Sequence, residues 1–179
     1  MKELRYDKIK LGALLGEDIQ KLYLEFKNDL EFRKNVCPGY FDVPSITKDT
    51  YNNEYYSVDY GDNIGVGYIN LTISRWARSA SILLGYKESV RGSIIPVKSM
   101  SIIIKHAFEV LALHRLTCSV YEYNKPCKKV LDKFFIKEGT RRKSRYTNGK
   151  YYDTFNYGLL ENEYVELKEK YSQYFDKIG

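Results

Sequence analysis

The residues best placed to do chemistry lie where a strand-like run, Ala80 to Tyr86, gives way to Arg91-Gly92-Ser93-Ile94-Ile95-Pro96 and then to a long apolar-striped segment. A helix that starts directly after a strand exposes backbone N–H groups with no intrahelical partner, and its positive dipole end favours anions. This junction is therefore a natural cradle for phosphate or pyrophosphate. Other chemistries find little support. Cys37, Cys118 and Cys127 are odd in number and widely spaced, which fits reduced thiols better than a disulfide framework. His106 and His114 form no ligand cluster, so no metal site is expected.

The elements that must position this junction follow from periodicity. Between Gly16 and Val36, Ile19, Leu22, Tyr23, Phe26, Leu30 and Phe32 recur near helical spacing, which predicts one or two helices. Pro38, Gly39 and Pro44 break that pattern and predict an ordered loop over Asn35 to Ser45. From Tyr55 to Ser74 apolar and polar residues alternate on either side of Tyr60-Gly61-Asp62-Asn63, a β-hairpin, with Ala80 to Tyr86 as a third strand. Ile94 to Leu113 carries Val97, Met100, Ile104, Phe108 and Leu111 on one stripe, the strongest helical pattern in the chain. Pro96 is tolerated in its first turn, where the missing N–H would have no partner anyway. Arg115 to Asn124 reads as a strand, Lys125 to Gly139 as a short helix leading into another, and Tyr151 to Leu160 as a last strand after a turn at Thr147 to Lys150. Glu161 to Gly179 spaces Tyr164, Leu167, Tyr171 and Tyr174 as an amphipathic helix, a candidate surface for a homodimer.

The 179 residues suit one domain, 1–179, and the absence of an 18-residue apolar run predicts no membrane span. The opening MKELRYDKIKL lacks a signal-peptide core, so a cytoplasmic protein is expected. The formal net charge of +6 asks for an anionic partner, which could be nucleic acid, an acidic surface or a polyphosphate cofactor. Lys125, Lys128, Lys129, Lys133, Lys137 and the Arg141 to Arg145 run form a basic series. It lacks the interleaved aromatics of a base-stacking surface, so a nucleic-acid role is not favoured. The element order is mixed α/β around one central sheet.

Several segments in this order resemble the GNAT superfamily, in the branch of ribosomal-protein and small-amine N-acetyltransferases. They are GEDIQKLYLEF, RSASILLGY, KHAFEVLALHRLTCSV, the helix after Asn124, EGTRR from Glu138, TNGKYYD from Thr147, and the closing YGLL, so the likeness runs from Leu11 to Leu160. The resemblance implies a sheet in which two strands, here Ser79 to Tyr86 and Arg115 to Tyr123, splay apart to hold acyl-CoA. It implies transfer of an acetyl or short acyl group from acetyl-CoA to an amine acceptor without a covalent enzyme intermediate. Cofactor contacts would come from Leu84, Tyr86, Arg91, Gly92, Ser93, Ile94, Ile95, Pro96, Val97 and Asn124.

Two departures qualify it. Ile94 and Pro96 stand where the family's loop carries small residues, and Pro96 removes a backbone donor. Leu131 stands seven residues after Asn124, where many members place a thiolate-protonating tyrosine. A silent binding or scaffold protein on the same fold, or an RNA- or ribosome-associated binder, are the alternatives. Glu122 and Asp153 are candidate general bases, because amide formation needs a deprotonated amine; both also read as ordinary strand or turn carboxylates. Asn124 could bond the cofactor arm or cap the following helix. The resemblance places Tyr40 and Asp42 beside the acceptor pocket, and strand alternation puts Tyr68 and Asn70 on one face.

Overall fold

The computed structural model describes residues 4–35 and 51–178. Eight strands form one sheet: β1 (Leu4–Tyr6), β2 (Ile9–Ala13), β3 (Asn53–Tyr60), β4 (Asn63–Ser74), β5 (Ser79–Tyr86), β6 (Arg115–Tyr121), β7 (Ile136–Thr147) and β8 (Lys150–Leu160). Their spatial order is β1-β2-β3-β4-β5-β6-β8-β7, and only β5 and β6 run parallel. The β3–β4 turn closes over Gly61 and Asp62 as expected. Between β7 and β8, Asn148 and Gly149 both take positive φ, 49° and 74°, the backbone that a two-residue hairpin matched to strand twist requires.

The sheet alternation sorts the helices. Tyr55 and Tyr68 face one side, where α1 (Glu17–Lys27) and α2 (Leu30–Asn35) bury Ile19, Leu22, Phe26 and Phe32 against them. Tyr56, Ile69, Leu71 and Ile82 face the other. There α3 (Ile95–Lys105), α4 (Lys125–Phe134), α5 (Glu161–Lys170) and α6 (Ser172–Phe175) complete the main core around Met100, Ile103, Leu131 and Phe134.

Four features depart from the periodicity. The N-terminal hairpin β1–β2 pairs with β3 from Ile9↔Tyr60 to Ala13↔Tyr56, although five residues with interspersed lysines carry too little pattern to announce a strand. The helix expected over Ile94 to Leu113 is α-helical only to Lys105 and then widens to a π turn over His106–Val110. The helix expected over Glu161 to Gly179 is broken at Tyr171. Its tyrosine stripe is also used inside the chain. Tyr164 stacks on Phe108 at 4.9 Å and donates to Glu109, while Tyr171, Tyr174 and Phe175 gather around Phe134. Part of the stripe expected to serve a homodimer thus packs within the chain, while Leu167, Tyr171 and Tyr174 stay half-buried.

β5 and β6 pair over only three positions, Ser79↔Arg115, Ala80↔Leu116 and Ser81↔Thr117. Beyond them β5 stays with β4 as far as Gly67↔Tyr86, and β6 stays with β8 as far as Tyr121↔Thr154, so the two strands diverge. This is the splayed pair expected from the sequence. Gly85 sits in the diverging part of β5 with the Phe32 ring pressed on it: a Cβ there would lie 2.1 Å from Phe32 Cε2. Because Phe32 is buried, it has nowhere to retreat. Gly85→Ala is expected to cost about 1–3 kcal/mol through overpacking, read as a lower urea midpoint at unchanged m-value.

Candidate functional site

On the donor side, a 3-10 turn at Glu88–Val90 leads to Gly92, whose φ of 77° reverses the chain toward α3. Ser93 Oγ donates to the Val90 carbonyl at 2.7 Å and accepts the Ile95 amide at 3.2 Å, which holds the helix entry. Ile95 is the first residue of α3 and Pro96 the second. With the Ile95 amide taken and Pro96 lacking one, the amides of Ile94 and Val97 remain for an anion at this terminus. Ile94 is about half exposed and covers the entry rather than filling the core.

Arg91 is fixed from two directions. Its Nε donates to the Tyr86 carbonyl at 2.8 Å, and Nη2 pairs with Asp29 Oδ2. Asp29 in turn caps α2 by accepting the Phe32 amide at 3.0 Å. Burial pushes the Asp29 carboxyl up, but the Phe32 amide and the Arg91 guanidinium together outweigh it and hold it below the usual carboxylate value. The loop between β5 and α3 is thereby tied to α2 by one ion pair. The Tyr86 side chain points away from the gap: its buried hydroxyl shares a 2.6 Å bond with Ser99 of α3. Leu84 is half-buried beyond the last β5–β6 pair, packed against the main core. Asn124 Oδ1 accepts the Cys127 amide at 3.2 Å as the N-cap of α4, so its oxygen is committed and its Nδ2 group is left for other contacts.

On the acceptor side the sequence-predicted residues scatter. Tyr40 and Asp42 lie outside the described residues. Tyr68 is buried among Phe26, Tyr55 and Phe32, and Asn70 donates to the Glu54 carbonyl within the sheet; both lie on the face that carries α1 and α2. Glu122 and Asp153 come together at the end of β6 and β8, but each is bound to backbone. Glu122 accepts the Asp153 amide at 3.2 Å, and Asp153 accepts the Lys143 amide at 2.8 Å in the β7 bulge.

What the sequence reading did not single out is an open groove of about 390 Å³ on that same sheet face, where β5, β6, β8 and β7 carry no helix among the described residues. Ser81, Thr117, Ser119 and Asn156 form its floor, and Glu138 and Arg141 its far wall. The available signal was polar side chains at every second position of otherwise apolar strands. Toward the C-terminal end of β6 the groove meets an aromatic cluster. Tyr121 stacks on Tyr123 at 5.6 Å, and Tyr123 meets Tyr152 edge-on at 4.9 Å. Arg145 lies over the Tyr121 ring at 4.9 Å and donates to the carbonyl of Lys34, at the end of α2.

No described thiol or tyrosine here is poised as a nucleophile. Burial pushes the Cys127 thiol up to about 11 and the Cys118 thiol up as well, so both stay protonated near neutrality. Leu131, at the family's tyrosine position, is buried in the core. Tyr157 is bound through its hydroxyl to Asp132, and burial together with that carboxylate raises its pKa.

Comparison with known proteins agrees with this geometry. No family model matches the chain. A stretch of 78 residues is 31% identical to an uncharacterized N-acetyltransferase, YokL, derived from the SPbeta prophage of Bacillus subtilis strain 168, covering 43% of this chain and 44% of that protein. The match thus spans less than half the length of the curated relative. A spermidine N-acetyltransferase of Vibrio cholerae solved with CoA and spermine superposes with a TM-score of 0.76 at 18% identity, over 89% of this chain and 99% of that one. A dodecameric structure of spermidine N-acetyltransferase from the same organism gives 0.70 at 18% identity, over 89% and 97%. The fold is that of the GNAT acetyltransferases: a mixed sheet, flanked by helices, with one splayed parallel strand pair.

The Asp29–Arg91 tie has a pH signature. A carboxyl held below its unfolded value of about 3.9 contributes stability that is present above that pH and lost as pH falls through the folded value. Asp29→Asn keeps a capping side chain and removes the charge, so the wild type is expected to be more stable by about 1 kcal/mol at pH 7. In urea unfolding that difference should shrink as pH falls below the unfolded value of about 3.9 and on through the lower folded one; a difference constant with pH would show that the ion pair contributes nothing.

Proposed function

We propose that this protein transfers an acetyl group from acetyl-CoA to the primary amine of a small acceptor. The observation that carries the reading is the divergence of β5 and β6 after three pairs, beside a helix terminus with free amides. Gap-side backbone groups of two splayed strands would be a cost if left unbonded, and an extended chain of amides such as the pantetheine arm is the ligand that satisfies them. The same pairing of a gap and a helix N-terminus suits a pyrophosphate at the Ile94 and Val97 amides. The N-acetyltransferase relative in Bacillus and the CoA-bound neighbour support the donor.

Acetyl-CoA supplies the thioester carbon that the amine attacks. The nitrogen–carbon bond forms, the carbon–sulfur bond breaks, and the ammonium proton must first leave. Ser119, Thr117 and Asn156 line the groove and can hold the water that carries this proton away. With Cys118 and Cys127 protonated by burial, the acyl group goes directly to the acceptor rather than through the enzyme. A second reading, a binding protein without turnover, is favoured by Pro96 and Leu131, which delete a phosphate donor and the family's acid.

Isothermal titration with acetyl-CoA and with free CoA tests the donor site, and thiol release with a panel of primary amines tests turnover. Binding at about 1–100 μM with amine-dependent thiol release is expected. Ile94→Gly, which uncovers the helix entry, should tighten binding by up to about tenfold. A flat titration with both nucleotides sinks the proposal; binding with no thiol release selects the second reading.

A further inference from the structure

The groove's charge points to an acceptor unlike a polyamine. This inference rests on the proposed acetyl transfer and concerns the acceptor alone. Of the charged residues along the groove, Glu138 is neutralised by its ion pair with Arg115 and is folded over Gly158. Arg141, on the same wall, forms no ion pair among the described residues. At the aromatic end, Arg145 is half-buried and has no carboxylate partner among the described residues. Its Nη2 donates to the Lys34 carbonyl at 3.2 Å and its guanidinium lies beside the Tyr123 hydroxyl, while Nε has no hydrogen-bond partner among the described residues. The carboxylates nearby are already engaged: Glu31 with Lys34 at 2.7 Å, Glu122 and Asp153 with backbone amides.

An ammonium could still bind an aromatic face without a carboxylate. Here the face of Tyr121 is occupied by Arg145, and the Tyr123 hydroxyl is spent on the Lys34 carbonyl. A second or third ammonium travelling with the reacting amine would meet two guanidinium groups and, among the described residues, no free counter-charge. Like charges facing each other across a binding surface are a strong element of discrimination. Guanidinium groups without a carboxylate partner have the opposite preference, for a planar anion that can accept two N–H bonds.

We propose that the acceptor is a small amine that also carries a carboxylate, with the carboxylate held by Arg141 and Arg145 on β7 while the amine reaches the β5–β6 gap. The register supplies the span. Arg141 lies opposite Thr154 and Arg145 opposite Tyr152, two residues apart on β8 and so about 7 Å along the strand. β7 is two strands away from β6, about 10 Å across the sheet, less the reach of an arginine side chain. That separation suits an amino acid or short peptide rather than a long extended chain.

The experiment is a thiol-release screen with acetyl-CoA over amino acids and di- and tripeptides, the C-terminal amide of each, and spermidine and spermine. The best acceptor should carry a free carboxylate, and its amide should lose roughly tenfold to a hundredfold in kcat/KM. Arg141→Gln and Arg145→Gln, each checked for a wild-type thermal midpoint, should abolish most of that discrimination by lowering turnover of the carboxylate form alone. The proposal is overturned if a polyamine or a neutral amine is the best acceptor, or if both variants discriminate as the wild type does. Acetyl-CoA binding with no turnover of any amine overturns this acceptor while leaving the donor site standing. Failure to bind acetyl-CoA overturns the proposed function itself and this inference with it.

Discussion

Every functional feature of this molecule depends on where one pair of parallel strands stops pairing. Had β5 and β6 continued beyond Ser81 and Thr117, the sheet would be closed, its backbone satisfied, and no gap would exist for a ligand. The divergence is enforced from outside. β5 is held along its whole length by eight antiparallel positions on β4, and β6 by seven on β8. Phe32 of α2 closes onto Gly85, so the free end of β5 follows the α1–α2 side while β6 follows the β7–β8 side. The unpaired backbone is thus a consequence of strong pairing on both flanks, which is how a local defect persists in a stable sheet.

The two sides of the gap are also coupled. Arg91 reaches from the donor loop to Asp29, the cap of α2, and α2 ends at the Lys34 carbonyl where Tyr123 and Arg145 converge. A displacement at the donor loop would therefore be felt through one short helix at the acceptor end. The loop substitutions that distinguish this chain from the family pattern are partly compensated by the same construction. Pro96 removes a donor, but Ser93 fixes the entry to α3 so that the Ile94 and Val97 amides are held in place.

Much of this architecture is readable in the residues. The hairpin around Gly61-Asp62, the Asn148-Gly149 turn and the strand, loop and helix at Ser79 to Lys105 follow from periodicity and turn chemistry. The splay itself does not: nothing in the side chains of RSASILLGY or RLTCSV marks where parallel pairing ends, because that is decided by β4, β8 and α2. The same limit applies to the site. Arg91 was visible as a cation near a helix terminus, but its pairing with Asp29 joins residues 62 positions apart. Glu122 and Asp153 have the right chemistry for bases, but that Glu122 accepts the Asp153 amide and Asp153 the Lys143 amide in the β7 bulge could not be read from sequence, because a bulge leaves little trace there. For the tyrosines of the C-terminal segment, a half-apolar stripe does not reveal which surface covers it; Phe108 and Phe134 cover part of it from within the chain.

What remains at the gap constrains the chemistry more than any single residue does. Among the described residues, desolvation holds the Cys118 and Cys127 thiols protonated, Leu131 lies in the core, and the carboxylates near the gap accept from cations or amides. With no nucleophile poised among the described residues, acyl transfer at this gap would rest chiefly on holding the amine in line with the thioester. That places the burden on the acceptor's second attachment point. An amine tethered by its own anion to Arg141 and Arg145 gains the orientation that the missing catalytic groups cannot provide, whereas one held by its amine alone does not. On the proposed reading, selectivity for the acceptor and catalysis are the same physical demand.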